Sequence, residues 1–232
     1  RYVPSAHAKT WNACGVSDRF SEELKSIVTE IAQLSFDSDY SNIAQRLRTE
    51  PLKEDPDAMA VLGMLYEQHL VPDVAFLTQS DDLAFSLYEK SALAGSDRGR
   101  YYLALSHYYG YPSSEKYDAT RLGELLADVD LESSDSQLLS LKANALLQGH
   151  IEVAANDTRS PYELGESLFR RALDVCPEDD FASANLATFL VNYYGAQTER
   201  GREGINLLTA SDSPLPAEKL GIIYESGNID GN

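Results

Sequence analysis

The residues able to do chemistry in this sequence are few and scattered. The four histidines, His7, His69, His107 and His150, stand too far apart along the chain to form a local metal-ligand pattern, although folding can bring distant ones together. The acidic groups Asp81-Asp82 and Glu178-Asp179-Asp180 open apolar helical stretches. They read as charges at the positive end of a helix dipole rather than as a general acid and base. There is no G-x-x-x-x-G-K-[ST] phosphate loop, no G-x-G-x-x-G turn, no H-E-x-x-H and no G-x-S-x-G elbow. The expectation is a protein that is not an enzyme and holds no metal or cofactor. Cys14 and Cys176 belong to no C-x-x-C or metal-binding spacing, so two free thiols are expected, with a bridge between them as the alternative. Asn156-Asp157-Thr158 is a formal glycosylation triplet of the kind that arises by chance in a chain of this size.

Non-covalent recognition is better represented. At about 100° per residue, Tyr101, Tyr102, Leu105, Tyr108 and Tyr109 fall on one side of a helix, opposite the small residues that start it. Adjacent rings cannot both reach the same core, and tyrosine combines large contact area, low entropy cost and a hydroxyl, so this face is expected to meet a partner. The same frame places Glu67 and Gln68 on one flank and Asn185, Thr188 and Asn192 on the other, with Tyr193 and Tyr194 at the helix end. An aromatic centre with polar and acidic flanks suits a peptide or protein segment, including one that bears Lys or Arg.

The elements that position these residues come from a repeat. Ala58-x-x-x-Leu62-Gly63-x-x-Tyr66 returns as Gly99-x-x-x-Leu103-Ala104-x-x-His107-x-x-Gly110, as Ala182-x-x-x-Leu186-Ala187, and as Pro216-x-x-x-Leu220-Gly221-x-x-Tyr224-x-x-Gly227. A fainter copy runs from Leu138 through Ala143 and Leu146 to Gly149, with Lys142 in the leucine slot. Second elements, Ala84-x-x-x-Tyr88-x-x-Ser91-Ala92-x-x-Gly95 and Gly165-x-x-x-Phe169-x-x-Ala172, carry the four-three-four spacing of one helical face. Small residues at Gly63, Ala104, Ala187 and Gly221 admit a closely packed partner helix. Each unit is therefore a helical hairpin that cannot bury its apolar face alone. The predicted fold is all-α: a right-handed solenoid of about five antiparallel hairpins over residues 55–232, the last one partial. Residues 1–54 form an N-terminal cap with one amphipathic helix (Leu24, Ile27, Val28, Ile31, Leu34) and a shorter one (Ile43, Ala44, Leu47) ending before Pro51.

These residues resemble the Sel-one-like repeat, a relative of the tetratricopeptide repeat. Leu62-Gly63, Tyr66, Val71-Pro72, the stretch from Ala84 to Gly95, Leu103-Ala104, Gly110, Pro112 and the Leu220 to Gly227 copy carry the likeness. The resemblance implies a non-enzymatic scaffold or adaptor that binds a partner protein on its concave face, as family members do in bacterial envelope complexes, polysaccharide export and flagellar motors. Two alternatives stand beside it: an immunity or inhibitor protein that occludes a secreted toxin, and an enzyme acting on cell-wall compounds.

Composition narrows the partners. Nineteen Lys and Arg stand against 37 Asp and Glu, a formal charge of -18 spread along the chain. A polyanion has no basic stripe for DNA, RNA or anionic lipid. No apolar run approaches the roughly 20 residues that cross a bilayer. Ala6-His7-Ala8 has the A-x-A form of a signal-peptidase site, so a periplasmic or secreted protein is expected, with a cytoplasmic one as the alternative.

Overall fold

The computed structural model describes residues 4–71, 77–111 and 116–210, and their regular structure is entirely helical. The fifth repeat copy, with Leu220, Gly221, Tyr224 and Gly227, lies outside the described residues, as do Pro72 and Pro112. The chain divides after Leu126 into two compact units.

The first unit contains α1 (Pro4–Ala13), α2 (Glu22–Gln33), α3 (Ser41–Leu47), α4 (Pro56–Glu67), α5 (Leu77–Leu93), α6 (Asp97–Tyr109) and α7 (Ala119–Leu126). The two helices expected before residue 55 are present as α2 and α3. Leu24, Ile27, Val28 and Ile31 are buried on α2, Ile43, Ala44 and Leu47 are buried on α3, and α3 packs on α4. α4 and α5 form the first hairpin. Ser80 Oγ donates to Tyr66 O (2.6 Å) at one end and Ser91 Oγ to Pro56 O (2.5 Å) at the other, which sets the two helices antiparallel. A Cβ built on Gly63 would come within 2.6 Å of the Tyr88 ring, so only glycine allows this approach. Gly95, at φ +91°, ends α5 in the left-handed conformation expected of it, and Ser96 N donates back to Ser91 O (3.1 Å).

The second unit contains α8 (Ser136–Leu147), α9 (Pro161–Val175), α10 (Asp180–Tyr194) and α11 (Glu199–Thr209). α8 pairs with α9, α10 pairs with α11, and α10 packs on both α8 and α9. The capping box of Ser160 and Glu163 starts α9. Gly204 lets α11 close on α10, where an added Cβ would meet Ala187 O at 2.7 Å. Lys142, the departure from the repeat pattern, is accommodated by hydrogen bonding: Nζ donates to Val129 O (2.6 Å) and caps the turn before α8. Burial lowers its pKa against the pull of Asp130, Asp128 and Asp157.

One contact recurs between the N-terminal ends of successive first helices. In the first unit Ser96, the N-cap of α6, donates from Oγ to Asp57 Oδ1 in the first turn of α4 (2.6 Å). In the second unit Ser136, in the first turn of α8, donates to Oδ2 of Asp179, the N-cap of α10 (2.7 Å). Asp179 also accepts from Phe181 N (3.0 Å) and Ala182 N (3.1 Å), the N-capping role expected for its acidic run. Asp81 departs from expectation. It lies inside α5, past the first turn, where it accepts from the Tyr111 hydroxyl and faces His69 Nε2 at 3.5 Å.

Cys14 and Cys176 are both disulfide-bonded, not the free thiols expected. That expectation rested on the absence of a recognised cysteine spacing, and a disulfide requires none.

Two outcomes follow from this packing. Gly63→Ala gains about 1 kcal/mol of helix propensity but pushes on a wholly buried ring, so a net loss of about 1–3 kcal/mol is expected in urea titrations. Burial raises the Asp179 carboxyl above its ordinary range, and the Ser136 hydroxyl partly opposes that rise. The folded state holds this proton more tightly than the unfolded chain. The carboxyl's contribution to stability is therefore present at low pH and is lost as pH rises from the ordinary aspartate value through the folded one. Ser136→Ala should move the Asp179 titration further upward in carboxyl-carbon NMR; a downward shift would contradict the contact.

Candidate functional site

The residues expected to form one recognition face divide between the two units. In the first unit, Tyr101 and Tyr102 are each only 2 % exposed and belong to the core, which corrects their placement on a partner-facing surface. Tyr102 stacks on Tyr88 of α5 (centroids 5.0 Å, 15° between planes) and receives the edge of Trp11 from α1 (6.4 Å). Its hydroxyl meets Met64 Sδ at 3.3 Å. Tyr101 packs edge-on to Tyr102 (5.2 Å) beneath the buried Arg98 guanidinium, 5.5 Å from its ring. Adjacent rings can both be buried because the N-terminal helices supply a second wall that a bare hairpin lacks.

The other expected residues of this unit are graded outward. Gln68 is buried and Leu105 half-buried. Glu67 accepts from the Tyr88 hydroxyl (2.7 Å). Tyr108 is half-buried and edge-on to Tyr109 (4.8 Å), and burial pushes its phenol up to about 12. Tyr109 is 67 % exposed and is the ring of this group that reaches solvent. His107, at the position of its repeat that Tyr66 holds in the first copy, is buried edge-on to Phe85 (5.7 Å), with Nδ1 2.8 Å from Lys116 O.

In the second unit Asn185, Thr188 and Asn192 line a groove of about 390 Å³ where α8, α9 and α10 meet. They share it with Asn144 of α8 and its C-cap Gln148, and its aromatic wall is built from Tyr162, Phe189 and Tyr193. Tyr193 stacks on Phe189 (5.3 Å, 13°) and on Tyr162 (4.6 Å, 23°), and these two tyrosines are 50 % and 45 % exposed. Among the described residues none that lines the groove is charged.

The charges nearby build the frame instead. Glu166, buried on α9, accepts from Tyr194 Oη (2.8 Å), Arg170 Nε (2.9 Å) and Arg200 Nη1 (2.5 Å), fixing the end of α10 next to the aromatic wall. Arg170 also grips Glu203 (2.7 and 3.0 Å), whose carboxyl it holds below the usual range.

Asn144 and Gln148 were legible in principle. Counted from Leu138, they occupy the frame positions that Thr188 and Asn192 occupy from Ala182. The third copy hid them because it carries leucine where the other copies carry a small first anchor. Tyr162 and Phe189 belong to the packing side of the pattern and gave no signal of exposure.

Among the described residues no group of His, Cys, Asp and Glu is placed to hold a metal ion, and no helix is long and apolar enough to cross a membrane. No family model matches the chain. No curated protein matches it in sequence. Among solved structures, the chain is similar to a Sel1 repeat protein from Oxalobacter formigenes, at 18 % identity and a TM-score of 0.49, over 82 % of this chain and 72 % of that one.

Proposed function

We propose that this chain is a non-catalytic binding module and scaffold that holds a segment of a partner protein in the groove between α8, α9 and α10. The observation that carries the reading is the convergence of four carboxamides, Asn144, Gln148, Asn185 and Asn192, and an exposed tyrosine stack on one uncharged concavity. Tyrosine with adaptable hydrogen-bonding amides is the chemistry of polypeptide recognition. It supplies neither a general acid or base pair nor an activated nucleophile, so any chemistry is left to the partner. The surrounding charge of -18 favours approach of segments with basic residues flanking the part that is bound. The disulfide-bonded state of both cysteines supports an oxidising compartment, and hence a role in an assembly of the periplasm or the cell exterior.

The test is selection of peptides from a random displayed library against the whole chain, followed by fluorescence anisotropy of the best peptide. Asn192→Ala and Tyr193→Ala are expected to weaken binding roughly tenfold or more; the thermal midpoint stays within about 2 °C of the parent for Asn192→Ala and falls by several degrees for Tyr193→Ala, which loses two ring stacks. Selected peptides that bind both variants as well as the parent would remove the groove as the site.

A further inference from the structure

We infer that the groove reads the main chain of an extended polypeptide, its carboxamides pairing with peptide groups on every second residue of the guest. The inference rests on the binding reading above and specifies what is bound. A carboxamide carries the same donor and acceptor as a peptide unit, so a row of them matches a backbone whatever its side chains. Asn144 of α8 and Gln148, the C-cap of that helix, are four residues apart, as are Thr188 and Asn192 on α10. Four helical residues rise about 6 Å, while an extended chain presents like groups on one side about every 6.6 Å. The groove is therefore a pair of two-rung ladders whose spacing follows a strand.

The hydrogen-bond state of the lining residues supports the same reading. Among the described residues no side-chain hydrogen bond engages Asn144, Gln148, Asn185 or Asn192, and Asn185 Nδ2 is buried with no acceptor. No protein partner fixes which end of the Asn185 amide faces outward, so a half turn about its terminal torsion offers the guest a donor or an acceptor. Leaving such a donor unmet is costly, and the half turn that brings Nδ2 to a guest carbonyl leaves a buried carbonyl oxygen in its place, which proteins tolerate better than an orphaned N–H. The Thr188 hydroxyl donates to Ala184 O (2.7 Å), which leaves its lone pairs to accept from a guest N–H. With no charge in the lining, ion pairs to guest side chains do not set the register. A glycan fits less well, because Tyr193 already spends its ring on Phe189 and Tyr162 rather than presenting it to a sugar face.

The experiment uses the library-selected peptide and the whole chain. Each peptide bond of the guest is N-methylated in turn, and affinity is read by anisotropy. Losses of about tenfold are expected at alternate positions across roughly six central residues, with much smaller losses between them. Asn185→Leu, similar in shape and apolar, is expected to keep or raise the thermal midpoint while lowering affinity about tenfold. A purely structural Asn185 would instead lower the midpoint and leave affinity intact, against the inference. Groove variants that weaken binding, combined with a flat N-methyl scan and a steep side-chain alanine scan, would overturn main-chain reading and leave the binding proposal standing. Peptide binding indifferent to Asn192→Ala and Tyr193→Ala, failure of any peptide to be selected, or chitohexaose seated in the groove in place of peptide would overturn both.

Discussion

A stack of hairpins needs something to set one layer on the next, and in both units a single serine-aspartate hydrogen bond meets that need at the N-terminal ends of the first helices. Apolar contact between helices tolerates sliding and rotation; a short charge-assisted bond to a buried carboxylate does not. Ser96 to Asp57 and Ser136 to Asp179 link residues 39 and 43 positions apart, close to the repeat length, so each bond fixes the phase of the next layer. The polarity is reversed between units: the carboxylate belongs to the earlier helix in one and to the later helix in the other. Conserving the bond while exchanging its ends is what the geometry of two adjacent, positively polarised helix starts allows.

The hairpins were legible because their signals are local. The leucine and small-residue anchors, the glycine at the end of α5 and the amphipathic α2 depend on neighbours three or four positions away, and those among the described residues lie on helices as their spacing requires. The tyrosine face was misjudged because its environment is not local. Whether Tyr102 is displayed or buried depends on Trp11, some ninety residues earlier, and no periodicity within α6 reports the presence of α1. The cysteines failed because the spacing of two cysteines along a chain does not report whether they are oxidised. Asp81 failed on a boundary: α5 begins one turn before the acidic pair, so the carboxylate serves a hydroxyl contact instead of a helix end.

The groove of the second unit sits between these cases. Three of its residues came from the repeat frame applied to α10, and two more follow from the same frame on α8 once that copy is accepted despite its leucine anchor. The aromatic wall could not be inferred, because a stacked column of Phe189, Tyr193 and Tyr162 draws on two helices and on the Glu166 cluster that pins the end of α10. Charge was informative in an indirect way. A chain of -18 that keeps one concavity free of charged lining separates long-range attraction from close-range reading, so association and selectivity are set by different residues.

Trp11 is the sole tryptophan of the chain, and it is fully buried between the rings of Phe20 and Tyr102. Its fluorescence is therefore an optical label that the first unit carries by construction. The second unit, which has tyrosines but no tryptophan, carries no such label. Emission from indole thus reports on one half of the polypeptide alone, whereas phenol absorbance is shared, because most of the 14 tyrosines belong to the first unit.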